Sequence, residues 1–164
     1  MAASKVIQKG DGRLEIEAVL TRFSDGYVRV GIINGAQPSA DGRLTMGELG
    51  AIHEFGAPAA NIPARSFIWL GSQLKRAELK QMMPRLLRDV TKNKITLQAA
   101  LRKLAETMQL GMRETFDLWR AHWAPLAAST IQKKGHDHPL LDTLTLRNAI
   151  DYDVKMGGKV RGSR

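Results

Sequence analysis

Apolar residues recur at two spacings along this chain, and each spacing predicts a different kind of element. Apolar and polar residues alternate from Arg13 to Leu20 and again from Tyr27 to Ile33, a pattern typical of half-buried strands. Because the turn signal Ser24-Asp25-Gly26 lies between them, the two runs predict a β-hairpin. The alternation returns from Asn148 to Met156 and predicts a third strand, which we expect to pair with the hairpin.

The middle of the chain places apolar residues three and four positions apart, which predicts amphipathic helices. The first predicted helix runs from Ser66, a residue suited to the N-cap, to Thr91. Pro84 inside this helix predicts a kink or a second start. The second helix is predicted from Leu97 to Trp123, with Thr96 as its N-cap. We interpret its apolar stripe as core; the stripe consists of Leu97, Leu101, Leu104, Met108, Met112, Phe116, Trp119 and Trp123.

Together these elements predict an α+β fold. We expect a small antiparallel β-sheet, formed by the N-terminal hairpin plus the C-terminal strand, to pack against the two long amphipathic helices. A chain of 164 residues is long enough for one domain with its own core. We expect a flexible N-terminus at 1–12, a single domain at 13–156 and a basic, flexible tail at 157–164.

Two polar segments predict loops. The segment from Asn34 to Arg43 contains Gly35, Pro38 and Gly42, and we expect a flexible loop that serves as a contact arm. The segment from Thr130 to Pro139 predicts an exposed loop.

The stretch from Gly47 to Leu70 ends one helix and starts the next. Gly56 suits the helix end, because glycine adopts a left-handed conformation without steric cost. Pro63 suits an extended approach or a first helical turn, since proline has a fixed φ and no amide proton. Because residues such as Gly56 and Pro63 restrict the backbone conformation of this connection, we expect it to hold neighbouring groups in register.

Composition narrows the class of protein. The chain has no cysteine, no apolar run of membrane-spanning length and no signal-peptide pattern, so we expect a soluble intracellular protein without membrane contact. The net charge is +9 and the pI is about 10.2. Basic residues are scattered among acidic ones except in the tail, which leaves a nucleic-acid-binding protein as an alternative function.

Candidate catalytic and metal-binding groups are sparse. His53-Glu54 matches the start of a zinc-peptidase motif, but Ala57 stands where its second histidine belongs. His136 and His138 form a possible surface chelate, although two lysines precede them and favour a solvated loop. No P-loop, dinucleotide fingerprint or nucleophile elbow is present. We therefore predict a non-enzyme without metal or cofactor, and a metal-dependent hydrolase is the less favoured alternative.

The three tryptophans follow helical spacing, which favours the core. Trp69 and Trp119 lie within the predicted helices. Trp123 stands directly before Ala124 and Pro125 at the helix exit, so partial exposure is expected there.

Two sequence blocks resemble those of phage virion-morphogenesis and tail-completion proteins. The first is Leu49 to Gly56 followed by Asn61 to Phe67. The second combines Trp123 to Leu126, Ser129 to Ile131, a lysine, Pro139 to Thr143 and Leu146 to Asn148. The order and spacing of the blocks also match, and the resemblance covers roughly residues 10 to 156. The family pattern has a glycine after the Asp-Thr pair, where this chain has Leu144, which puts the tight turn there in doubt.

The resemblance implies a structural protein of the phage neck and tail. Such proteins are assembled in the host cytoplasm and remain in the virion. They form a ring between the head connector or adaptor and the tail tube or tail terminator, and DNA passes through the ring without sequence-specific binding. A homo-oligomeric ring needs heterologous contacts that close by rotation. A hexamer is favoured and a dodecamer is the other possibility.

Interface residues are expected in both blocks and in the tail. The connection within the stretch from Gly47 to Leu70 is called the central loop, and Arg65 is predicted to anchor it through charge-assisted bonds to an acid or to carbonyls. The tail is predicted to reach an acidic neighbour through a Gly157-Gly158 hinge. The full set of hypothesised interface residues is His53, Glu54, Phe55, Pro63, Arg65, Phe67, Trp123, Lys159, Arg161 and Arg164.

Overall fold

The computed structural model describes residues 26–39, 42–138 and 144–157. The predicted strand from Arg13 to Leu20 and the predicted tail contacts Lys159, Arg161 and Arg164 lie outside these ranges. The described elements, in chain order, are β1 Gly26–Ile32, α1 Met46–Phe55, a single 3-10 turn at Pro58–Ala60, α2 Phe67–Thr91, α3 Leu97–Glu114, α4 Trp119–His122, α5 Ala128–Lys134, α6 Thr145–Asn148 and β2 Ile150–Met156.

The two described strands form an antiparallel pair. Val28 lies opposite Val154, and Ile32 lies opposite Ile150. An ion pair between Arg29 and Asp153 crosses the strands on the exposed side. The predicted pairing of the C-terminal strand with the second run of the hairpin is therefore confirmed.

The two long helices form an antiparallel pair, because residues near the start of α2 meet residues near the end of α3. A Cβ atom on Gly71 would lie 2.5 Å from the Cα atom of Met112, so glycine is what permits the close approach. Lys75 reaches Glu114 in the same region. At the other end of the pair a small apolar cluster closes the hairpin; its buried members are Leu86, Val90 and Ala100.

The main core lies between this helix pair and the sheet. Helix α3 contacts both strands as well as α2. The ring of Phe116 packs against Phe67 in a tilted arrangement and against Trp123 edge to face, with ring centroids 5.6 Å and 5.7 Å apart. The other buried members of the core are Met46, Met112, Trp119, Leu146 and Ile150. The expected α+β fold, with a small antiparallel sheet packed against two long helices, is thus observed.

The predicted extent of the second long helix is wrong. Helix α3 ends at Glu114, and the chain then makes a turn before the short helix α4. The apolar stripe continues through this turn because Phe116, Trp119 and Trp123 all point into the core. Trp123 is only 8% exposed, so the expected partial exposure is also wrong.

Two smaller expectations are corrected as well, while the contact role of the predicted arm stays a prediction. Part of the predicted exposed loop from Thr130 to Pro139 belongs to helix α5. Asn148 ends helix α6, so the C-terminal strand starts only at Ile150. The described part of the predicted contact arm folds back onto the start of α1, where Met46 donates its N–H to the carbonyl of Gln37 at 2.7 Å.

Candidate functional site

Glu54, at the end of α1, caps the start of α2. Its carboxylate accepts hydrogen bonds from the N–H groups of Ile68 at 2.8 Å and Trp69 at 3.0 Å. These N–H groups have no partner within their own helix, and the helix dipole favours a negative charge at this end. Ser66 occupies the N-cap position as predicted, but its hydroxyl donates to the carbonyl of Glu54 at 2.7 Å and does not bond the helix N–H groups. Glu54 is 8% exposed and ties the two helices together.

The connection between α1 and α2 is a closed loop. Gly56 adopts a φ of 78°, as expected for the residue that ends α1. Ala57 and Ile62 exchange backbone hydrogen bonds at 2.9 and 3.1 Å. The N–H of Arg65 then returns to the carbonyl of His53 at 2.6 Å, so both ends of the loop are fixed on α1.

The side chain of Arg65 links this loop to the second sequence block by a hydrogen bond. Its Nη2 donates to the carbonyl of Ala124 at 3.3 Å, a bond to a carbonyl of the kind that the anchoring hypothesis predicts. The side chain is 5% exposed, and within the described residues its Nε has no hydrogen-bond partner. Burial lowers the pKa of Arg65, because charge is less favourable away from water.

A cleft of about 1010 Å³ opens beside Arg65. We call it the Arg65 cleft. The end of α1 and the central loop line one part of the cleft. The segment from Pro125 to Lys134, which includes α5, lines another part, together with the start of α6. Leu49 and Ile62 of the first block thus face the same space as Leu126 and Leu146 of the second.

His53 also lines the Arg65 cleft. Burial, followed by the positive charges of Arg65 and Lys134, lowers the pKa of His53 from 6.5 to about 4. The imidazole is therefore neutral at pH 7, and its Nδ1 has no hydrogen-bond partner in the described part of the chain. The neighbouring Glu54 carboxylate faces the start of α2 instead, so the two residues of the His53-Glu54 pair serve different surroundings.

The remaining histidines of interest lie near α4. The ring of His138 packs on Trp119 with centroids 4.9 Å apart, and His136 accepts the N–H of His138 at 3.3 Å. Among residues 26–39, 42–138 and 144–157, no group of three or more histidine, aspartate or glutamate side chains is arranged to hold a metal ion.

The other hypothesised interface residues divide by exposure. Phe67 is fully buried and Trp123 nearly so, so both are core residues of the monomer. Phe55 is 79% exposed, and Pro63 is exposed on the rim of the cleft. Their part in assembly stays a prediction.

An exposed face of α2 was missed by the sequence reasoning. Trp69 is 62% exposed and Met83 is 52% exposed, with Arg76 and Lys80 between them on the same side of the helix. A shallow apolar groove of about 590 Å³ runs beside them and includes Leu87. The apolar spacing of the helix includes Met83 and predicts burial for it, so spacing alone gave no signal for this exposed face.

Leu144 occupies an unusual backbone conformation. Its φ of 56° and ψ of 2° lie in the left-handed region, immediately before helix α6. Asn148 donates to its carbonyl at 2.8 Å and continues this turn into the helix. A left-handed turn therefore exists where the family pattern has glycine.

Comparison of the chain with models of protein families, with curated protein sequences and with solved structures finds no match.

None of the helices in the described ranges is long and apolar enough to cross a membrane.

Proposed function

We propose that this chain is a structural protein of the phage neck, which completes the tail and joins it to the head connector. The observation that carries the proposal is the meeting of the two resembling sequence blocks at the Arg65 cleft. Residues of the first block and of the second line the same space, and Arg65 bonds directly to Ala124 across it. This meeting gives a structural reason for the two distant blocks to occur together in one chain.

The conformation of Leu144 is a second support. The family pattern places glycine after the Asp-Thr pair, and Leu144 at that position has a φ of 56°. Glycine adopts this conformation without steric cost, whereas leucine does not. The backbone geometry therefore agrees with the resemblance even though the residue departs from it.

Exposed apolar side chains support an assembly role. Phe55, Trp69 and Met83 all leave more than half of their surface uncovered. Exposed large apolar groups occur at protein–protein contact sites, and Trp69 and Met83 share one side of α2, although Arg76 and Lys80 lie between them. In the proposal, such surfaces form the heterologous contacts of a ring of six copies, with twelve as the alternative.

In this proposal the chain acts by assembly and not by catalysis. DNA passes through the ring lumen, and the excess positive charge faces acidic partner proteins. The nucleic-acid-binding alternative makes a different prediction, namely binding of free duplex DNA with an affinity that falls steeply as salt rises.

Deleting the coding sequence of this chain from the genome that carries it tests the proposal. Electron microscopy should then show DNA-filled heads and separate tails in place of joined particles. Supplying the chain in trans should restore joining. Normal numbers of tailed particles after the deletion would contradict the proposal.

A further inference from the structure

Arg65 stands apart from the other cations of the described ranges. It is the only lysine or arginine there that is buried, at 5% exposed. No described carboxylate lies within ion-pair distance of it, whereas Arg29, Lys75 and Arg120 all pair with acids. Arg113 and Arg147 also have an unbonded Nε, but both side chains are only half-buried.

The hydrogen bonds of Arg65 leave most of its donors unused. A guanidinium group carries five N–H donors, and among the described residues the side chain of Arg65 has one acceptor, the carbonyl of Ala124. A buried charge without a counter-charge is costly, and a buried donor without a partner adds to that cost. An anionic acceptor that enters the cleft would remove both costs together.

The walls of the Arg65 cleft restrict which anion fits. They are largely apolar, with Leu49, Ile62 and Leu126 among them, and the rigid residues Pro63 and Pro125 stand on opposite sides. Nucleic-acid phosphates bind best to several exposed cations, but here the cations are the buried Arg65 and the half-buried Lys134, set among apolar side chains. An acidic side chain flanked by apolar residues matches this combination of a central charge and apolar surroundings.

We infer that the Arg65 cleft binds a glutamate or aspartate side chain, presented by an extended segment of a partner protein. The carboxylate accepts hydrogen bonds from the unpaired guanidinium N–H groups, and the flanking apolar side chains cover the walls. The imidazole of His53 offers one further N–H donor at the same site. This inference holds for any protein partner and does not depend on the neck role.

Titration of the purified full chain with capped amino acids tests the inference. N-acetylglutamate N-methylamide is compared with its neutral isostere N-acetylglutamine N-methylamide and with inorganic phosphate. Proton–nitrogen NMR follows the Nε–H of Arg65 and the backbone N–H groups of Ile62, Ala64 and Arg65. The glutamate compound should shift these signals at a concentration about tenfold or more below that of the glutamine compound. Acetyl-Leu-Glu-Leu-amide should bind about tenfold more tightly again, because its leucines cover the apolar walls.

Three variants locate the binding. Arg65→Met should abolish the shifts, and Arg76→Met, which removes an exposed cation on α2, should leave them unchanged. Ala127→Trp places a bulky ring at an exposed lining position of the cleft and leaves Arg65 itself in place, so it should also abolish binding, and it carries the test if Arg65→Met does not fold. Equal binding of the glutamine compound, tighter binding of phosphate, or binding that survives Ala127→Trp would each overturn the inference.

Discussion

Lys75 and Arg65 are two cations held between helices or loops, and their surroundings differ. The ammonium group of Lys75 contacts Glu114 at 2.8 Å and Glu78 at 3.7 Å. The hydrogen bond to Glu114 raises the pKa of Lys75, whereas burial lowers the pKa of Arg65. The helix pair therefore supplies its own counter-charge, while the Arg65 cleft lacks one within the described residues.

The same contrast extends to the apolar residues of the two regions. On the side of the helix pair and sheet, Phe116 is fully buried and its ring packs between those of Phe67 and Trp123. On the cleft side, Phe55 lies 79% exposed at the end of α1. The burial of the first region stabilises the fold, and the exposure of the second is what the proposed binding of a partner requires.

The two phenylalanines give the largest expected difference. Phe116→Ala should lower the free energy of unfolding by about 3–5 kcal/mol, because it removes a fully buried ring and leaves a cavity. Phe55→Ala should change it by no more than about 0.5 kcal/mol, since the ring is already in water. Urea denaturation measures both variants. Similar losses would remove the contrast between the two regions.

Glu54 joins the two regions, and its replacement should give the next largest effect. Glu54→Gln keeps the shape of the side chain but removes its negative charge at the start of α2. It also places an amide NH₂ group opposite the N–H donors of Ile68 and Trp69. We expect a loss of about 2–3 kcal/mol in the free energy of unfolding. Glu48→Gln alters the exposed capping box of α1 and serves as the matched control, with a smaller expected loss. A larger loss for Glu48→Gln would contradict the assigned role of Glu54.

We expect His53 to determine how the free energy of unfolding falls in mild acid. Between about pH 6.5 and pH 4, the unfolded chain binds a proton at this imidazole that the folded chain excludes, so stability falls as pH falls. Because the imidazole keeps some contact with water, we expect a loss of about 1–2 kcal/mol between about pH 7 and pH 4.5. The carboxyl groups with lowered pKa values, Glu48 and Asp153, act only at lower pH. In His53→Gln this slope should disappear; an unchanged slope would assign it to another group.

The smallest expected effect is a gain in stability at Leu144. Leu144→Gly relieves the left-handed strain at φ 56°, and we expect the free energy of unfolding to rise by about 0.5–1 kcal/mol. Asn93 has a φ of 54°, and asparagine already tolerates this conformation, so Asn93→Gly is the control with little expected change. Thermal unfolding of the pair measures the difference. A loss of stability in Leu144→Gly would show that its side chain matters more than the strain.

Local patterns predicted the elements of the helix and sheet side well. Alternation placed the two described strands, and the capping role of Thr96 is confirmed by its bond from the N–H of Ala99 at 3.1 Å. The end of α3 was not predictable from spacing, because Phe116, Trp119 and Trp123 keep their interval while the backbone leaves the helix. Apolar spacing reports which side chains face the core and does not require an unbroken helix.

The cleft side was less predictable because its contacts join distant residues. The chemistry of arginine was enough to predict an anchor to carbonyls, but not that Ala124 would supply the carbonyl. Ser66 holds the predicted N-cap position of α2, but the oxygens that accept from the helix N–H groups come from Glu54, fourteen residues before Ile68. Helix α5 was missed because its sequence lacks a clear apolar stripe.

The most direct test of the contrast is the yield of joined particles when a variant chain replaces the natural one. Arg65→Met removes the cation that has no counter-charge in the described part of the chain, and Lys75→Met removes the cation that pairs with Glu114. The account predicts that Arg65→Met lowers the yield by about tenfold or more, because a partner carboxylate loses its arginine. Lys75→Met should join particles at nearly the natural yield, since it alters only a pair within the monomer. Equal yields from the two variants would contradict the claim that Arg65 serves a partner.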